Sequence, residues 1–119
     1  MRLPDEALLL RVYVGINDKV HGVPLYEAIV TKAHELNLAG ATVLRGVLGY
    51  GASSRIHSAK LLDLAVDLPV VIEIVDTEEH IALLMPFIDD HVTEGLVTQE
   101  KVRVVGYRHR PAPPAQQPA

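Results

Sequence analysis

The chain has 119 residues, 49% hydrophobic and 22% charged, with a formal net charge of −4, which fits one globular domain and excludes disorder for its bulk. The absence of cysteine excludes disulfides, a thiolate nucleophile and Cys-ligated zinc, and one Phe, four Tyr and no Trp are too few for a base-stacking nucleic-acid platform. No apolar run reaches the roughly 18 residues of a membrane helix, and the opening Met1-Arg2-Leu3-Pro4-Asp5-Glu6 lacks a signal-peptide shape, so a soluble cytoplasmic protein is expected.

Residues 7–15 predict a strand ending at Gly15, with Leu8, Leu10, Val12 and Val14 on one face and Leu9, Arg11 and Tyr13 on the other. A polar loop over 16–22 follows. Pro24 suits the first turn of a helix, along which Leu25, Ile29, Ala33 and Leu36 recur at helical spacing. Residues 41–47 predict a second strand and 69–75 a third, rich in Val and Ile. Asp76 stands as N-cap with Glu79 three residues on, and Ile81, Leu84, Met85 and Ile88 give a second helix its apolar stripe. Pro86 predicts a kink there. Residues 94–101 read as a connector with room for a short strand, and 102–109 as the final strand.

The order strand, helix, strand, strand, helix, strand is the split βαβ pattern of ferredoxin-like folds. The expected class is α+β, a βαββαβ antiparallel sheet with both helices on one face. Residues 1–110 form that domain, and 111–119, with four of the eight prolines, form a flexible tail. The second sheet face is expected to carry Leu9, Tyr13, Val43, Val47, Val71, Val75, Val105 and Tyr107, interleaved with Arg11, Arg45, Glu73 and Arg103. A face this apolar predicts burial by self-association, with Glu73 paired to a facing arginine.

Charge is segregated along the chain. No Asp or Glu occurs from Leu36 to Leu62, which holds Arg45, Arg55, Lys60 and His57, nor from Lys101 onward, which holds Lys101, Arg103, Arg108 and Arg110. If these windows converge they form an anion site; otherwise they are solvated loops. Gly46, Gly49 and Gly51 crowd the end of the second strand, where glycines permit left-handed turns or close backbone approach and free N–H groups cradle phosphate. The six histidines form no His-x-x-x-His pair, and no nucleophile elbow surrounds Ser53, Ser54 or Ser58. Neither a metal site nor a catalytic site is expected.

Gly40-x-Thr42-Val43, Gly49-Tyr50-Gly51, His57, Leu68-Pro69 and Ile72-Glu73-Ile74-Val75 resemble, in order, the motif series of the PII signalling proteins. The Gly-Ala-Thr-Val-x-Arg-Gly run at 40–46, the run at 68–76 and Gly-Leu-Val-Thr at 95–98 are more similar still to a PII-like family catalogued as domain of unknown function 190. The resemblance covers about residues 7–109. It implies a homotrimer that binds an adenine nucleotide or another small anion in clefts between subunits. A T-loop-like segment at about 49–66 would regulate a target protein; an association with fluoride-exporter genes hints at a membrane transporter. The matching ligand residues are Thr42, Gly49 and Gly51 at the loop base, Gly95 and Lys101 in the connector, and the pair Arg108 and Arg110; Arg45 and His57 join them from the first acid-free window. The chain departs from PII in Thr98-Gln99-Glu100, where PII has a glycine-bearing phosphate turn, and in having no Tyr between Ala52 and Pro69. The rival readings are a metal-binding trimer like the CutA proteins and, behind it, a small enzyme acting on a phosphorylated substrate.

Overall fold

The computed structural model describes residues 5–51 and 68–110, and of 57–58 the backbone. Its elements are β1 (Glu6–Gly15), β2 (Lys19–Val20), β3 (Val23–Pro24), α1 (Leu25–Glu35), β4 (Thr42–Arg45), β5 (Leu48–Gly49), β6 (His57–Ser58), β7 (Pro69–Asp76), α2 (Glu78–His91) and β8 (Leu96–Arg103). Four strands form one antiparallel sheet in the order β4-β7-β1-β8. With α1 and α2 packed on one face, this is the expected ferredoxin-like architecture.

The alternation of β1 and β7 builds the core. Leu10, Val12 and Val14 of β1 and Val70, Ile72 and Ile74 of β7 are buried, while the residues between them are half-exposed. The helices answer with Leu25, Ile29 and Ala33, and with Ile81, Leu84 and Ile88, in one continuous cluster. Three- and four-residue spacings put each trio on one helix stripe. Each fully buried Leu, Ile or Val contributes roughly 1.5–3 kcal/mol relative to exposure. α2 runs through Pro86, whose missing N–H leaves the Ala82 carbonyl without its usual helical donor.

Four expectations are corrected. First, the loop at 16–22 contains the hairpin strand β2, which pairs with β3 around His21 and Gly22, both at positive φ. Second, α2 is capped by Thr77, whose hydroxyl oxygen accepts from the His80 N–H at 3.1 Å. Asp76 is fully buried instead. Third, the last strand is β8 at Leu96–Arg103, not 102–109. It is an edge strand on which only Val97 and Val102 are half-buried, so its apolar signal is weak, and Val105 and Tyr107 are not strand residues. Fourth, β4 has the opposite parity: Val43 pairs with Ile72 and packs on the core, while Thr42 and Leu44 pair with Glu73 and Val71 on the open face. Arg45 pairs with the core-facing Val70, so it leaves the open face too, and Val47 lies beyond the strand. β4 stops where Gly46 donates its N–H to the Pro69 carbonyl at 2.7 Å. An added Cβ at Gly46 would lie 2.8 Å from Pro69 Cγ, so close backbone approach is what this glycine supplies.

Of the segment at 49–66, residues 52–56 and the stretch from 59 on lie outside the described residues, as does the tail at 111–119. No helix among the described residues is long and apolar enough to cross a membrane.

Candidate ligand site and the two ends of the sheet

Register places the open-face residues in rows across the sheet. Leu44, Val71, Tyr13 and Leu96 form an apolar row from edge to edge. The next row is Thr42, Glu73, Arg11 and Thr98. In it Arg11 Nε donates to Glu73 Oε2 at 2.9 Å, and Nη1 donates to Glu100 Oε1 at 2.8 Å. Glu73 is thus paired with a facing arginine, as expected, and its hydrogen bond, with lesser help from the charges of Glu100 and Glu73 and against the cost of desolvation, raises the Arg11 guanidinium above its ordinary value. Arg11 is thus shared by two carboxylates, Glu73 and Glu100.

Beyond the charged row lies a cavity of about 670 Å³, lined by Ala39 to Thr42, Glu73, Val75 and Val102 to Tyr107. Its walls are mostly aliphatic, with the Thr42 hydroxyl, the Glu73 carboxylate and Arg103 as polar members. The Ala39 wall is held from behind by Asp76. One carboxylate oxygen accepts the Ala39 N–H at 2.7 Å; the other accepts the Thr77 N–H at 2.6 Å and meets His80 Nδ1 at 2.8 Å. In front, the Tyr107 hydroxyl donates to the Ala39 carbonyl at 2.7 Å. The starts of the two acid-free windows therefore meet here, although among their described basic residues, Arg45, Lys101, Arg103, Arg108 and Arg110, only Arg103 lines the cavity.

The nine residues singled out from sequence divide between the two ends of the sheet. Thr42 lines the cavity, and Arg108 lies nearby, its guanidinium 2.9 Å from where a Gly106 Cβ would be; Arg110, two residues on, is exposed. Lys101 is at this end but registers with Leu8, on the helix side, and its Nζ lies 3.8 Å from Glu6 Oε1. Arg45, Gly49, Gly51, His57 and Gly95 belong to the other end. There Gly49 pairs with His57 across the β5–β6 ladder and packs over Pro69. Gly95, at φ +153°, leaves no room for a Cβ against the Tyr13 carbonyl oxygen. Gly51 has neither a positive φ nor a neighbour crowding a Cβ, so the turn expected there is not what requires glycine. Six residue steps along β7 separate Pro69 from Val75, about 20 Å at strand rise. Among the described residues no single site in one chain joins both groups.

Arg103, named in the second acid-free window, does line the cavity; sequence reasoning missed Tyr107 and Ala39 as its walls, because each acts through a long-range contact that carries no local pattern. Among the described residues no three His, Asp or Glu side chains gather as a metal site.

Comparison with known proteins places the chain. A UPF0166 protein of Aquifex aeolicus is 39% identical over 97 residues, 82% of this chain and 91% of that protein. One from Methanocaldococcus jannaschii is 36% identical over 81 residues, 68% and 74% of the two chains. Among solved structures, CPII of Thiomonas intermedia K12, a nitrogen regulatory PII-like protein bound to ADP, AMP and bicarbonate, superposes with a TM-score of 0.59 at 18% identity, covering 83% of this chain and 88% of that one. A protein of Thermus thermophilus, provisionally classed as PII-like signalling, gives 0.61 at 16% identity over 84% and 90%. At these identities the likeness establishes the PII-like fold. The model of the family described as "Uncharacterized ACR, COG1993" (DUF190) matches residues 7–104, and with relatives at this identity over most of its length the chain belongs to that family.

Proposed function

We propose that this chain is a PII-like regulatory protein that forms a homotrimeric ring and binds an adenine nucleotide or similar small anion where subunits meet. The observation that carries the reading is the division of the candidate residues between opposite ends of one sheet. The cavity end, with Thr42, Arg103 and Arg108, and the Pro69 end, with Arg45, Gly49 and His57, become one site only if one copy's cavity end meets another copy's Pro69 end. Such a contact is head-to-tail, and a head-to-tail contact generates a ring where its rotation closes and an open filament where it does not; the reading takes the closed case. The apolar row Leu44–Val71–Tyr13–Leu96 supplies a surface for that contact; Leu44 and Leu96 are 49% and 55% exposed in the single chain. The fold shared with a protein solved with ADP, AMP and bicarbonate suggests the ligand class. In this reading the segment rooted on the β5–β6 pair transmits occupancy to a target protein, a membrane transporter being the candidate, and the site binds rather than turns over its ligand. Glu100 is engaged by Arg11 and is not among the cavity's lining residues, whereas Glu73, which shares that arginine, is.

Thermal shift and calorimetry with ADP, AMP, bicarbonate, inorganic phosphate, copper and zinc, on protein whose mass is measured by light scattering, test this. The expected result is three times the chain mass and stabilisation by ADP; at a hundred times Kd this is roughly 2.7 kcal/mol. A monomer unmoved by any nucleotide contradicts the reading. Stabilisation by copper or zinc alone favours the metal-binding trimer, and net conversion of a phosphorylated compound favours the enzyme.

A further inference from the structure

We propose that residues 104–107 form a strap that walls one side of the cavity, latched by the Tyr107 hydroxyl on the Ala39 carbonyl, so that release of this one bond widens access to it. The inference deepens the ligand reading above, since it concerns access to the same cavity.

The path of the chain is the first observation. β8 is one edge of the sheet and β4 the other. Val104 still donates its N–H to the Asp5 carbonyl, prolonging the β1–β8 ladder by one step. Three residues later Tyr107 is bonded to Ala39, which precedes the opposite edge strand. Three strand spacings are about 14 Å, and three extended residues reach at most about 11 Å. The segment therefore crosses nearly straight, and the tyrosine side chain supplies the remaining reach. The second observation is what lies beneath it. Val102 to Tyr107 form one wall of the cavity, with Ala39 to Thr42, Glu73 and Val75 forming the others.

The strap is weakly packed between two anchors, the Val104 N–H on the Asp5 carbonyl at its start and the Tyr107 latch at its far end. Val105 is 88% exposed and contributes little apolar burial. The far anchor point is rigid by contrast, because the Ala39 N–H is held by fully buried Asp76. The N–H and the carbonyl of one residue, Ala39, thus join a fixed part of the core to a movable part of the surface. A single neutral hydrogen bond of this kind holds a closed state over an open one by roughly two- to tenfold. That is enough to slow exchange, and little enough for a ligand to stabilise closure further by touching the strap.

The natural chain has no cysteine, so a single introduced thiol reports cavity access. Val75→Cys places it on the cavity wall, and its alkylation by N-ethylmaleimide is compared with that of the Val75→Cys, Tyr107→Phe double variant. Loss of the hydroxyl is expected to speed labelling roughly two- to tenfold and to speed amide exchange of 104–107. ADP is expected to slow labelling, and to bind Tyr107→Phe more weakly by a similar factor. Unchanged labelling and unchanged exchange on removal of the hydroxyl overturn the strap. Amide exchange on Tyr107→Phe alone decides the matter should Val75→Cys fold poorly. If ADP protects neither protein, the nucleotide reading fails, while the ligand-free labelling rates still decide the strap.

Discussion

Asp76→Ala is expected to destabilise the fold by about 3 kcal/mol or more, read as the shift in urea midpoint at fixed protein concentration. Asp76 is fully buried yet carries a carboxylate, and that is tolerable only because both oxygens are used. Alanine leaves the Ala39 and Thr77 N–H groups without their acceptor and removes the partner of His80 Nδ1. Each buried donor left unsatisfied costs about 1–3 kcal/mol. Asp76→Asn keeps one carbonyl acceptor and is expected to lose less. The Thr77 hydroxyl still caps α2 in both variants, so the helix persists and the damage falls on the turn before β4. A loss below about 1 kcal/mol for the alanine variant would show that the network is replaceable by water.

Val71→Asp is expected to convert the assembled protein to monomers. Val71 sits at the middle of the apolar row, flanked in register by Leu44 and Tyr13, and is half-exposed in the single chain. In the proposed ring this row is covered by a neighbour, so the aspartate would be an unpaired buried charge. Such a charge costs roughly 3–5 kcal/mol, which raises the dissociation constant more than a hundredfold. In the monomer the same residue faces water, so the fold remains. Tyr107→Asp is not the right probe, because Tyr107, expected from sequence on this face, lies on the strap rather than in the row. Light scattering at micromolar concentration distinguishes the outcomes; an unchanged mass would mean that this face is not the contact.

Legibility followed burial contrast. β7 and both helices are plain in the sequence because Val70, Ile72 and Ile74, and the trios on α1 and α2, face a single core, so their periodicities are clean. β8 is not plain: as an edge strand it buries almost nothing, and its pattern Leu-Val-Thr-Gln-Glu-Lys-Val-Arg alternates too weakly to compete with Val102–Tyr107. In Thr42-Val43-Leu44-Arg45 two adjacent apolar residues make either parity consistent with alternation, and only the ladder to β7 settles it. Asp76 and Thr77 are both competent caps; that one is buried under the Ala39 turn depends on a contact 37 residues away. The site divides in the same way. Thr42, Gly49 and His57 are visible in motifs, whereas the Arg11 partner of Glu73 and the Tyr107 latch depend on register and chain path.

The most direct test of a site shared between copies is complementation between two binding-deficient variants. Thr42→Tyr fills the cavity end, and Arg45→Glu reverses charge at the Pro69 end. Each protein alone is expected to assemble and to bind no ADP by calorimetry. When the two are unfolded together and refolded as mixed rings, random assembly gives about a quarter of the contacts two intact halves, and ADP binding should return with that stoichiometry at wild-type affinity. Failure of the mixture to bind, or full binding by either variant alone, would contradict a site built from opposite ends of two copies.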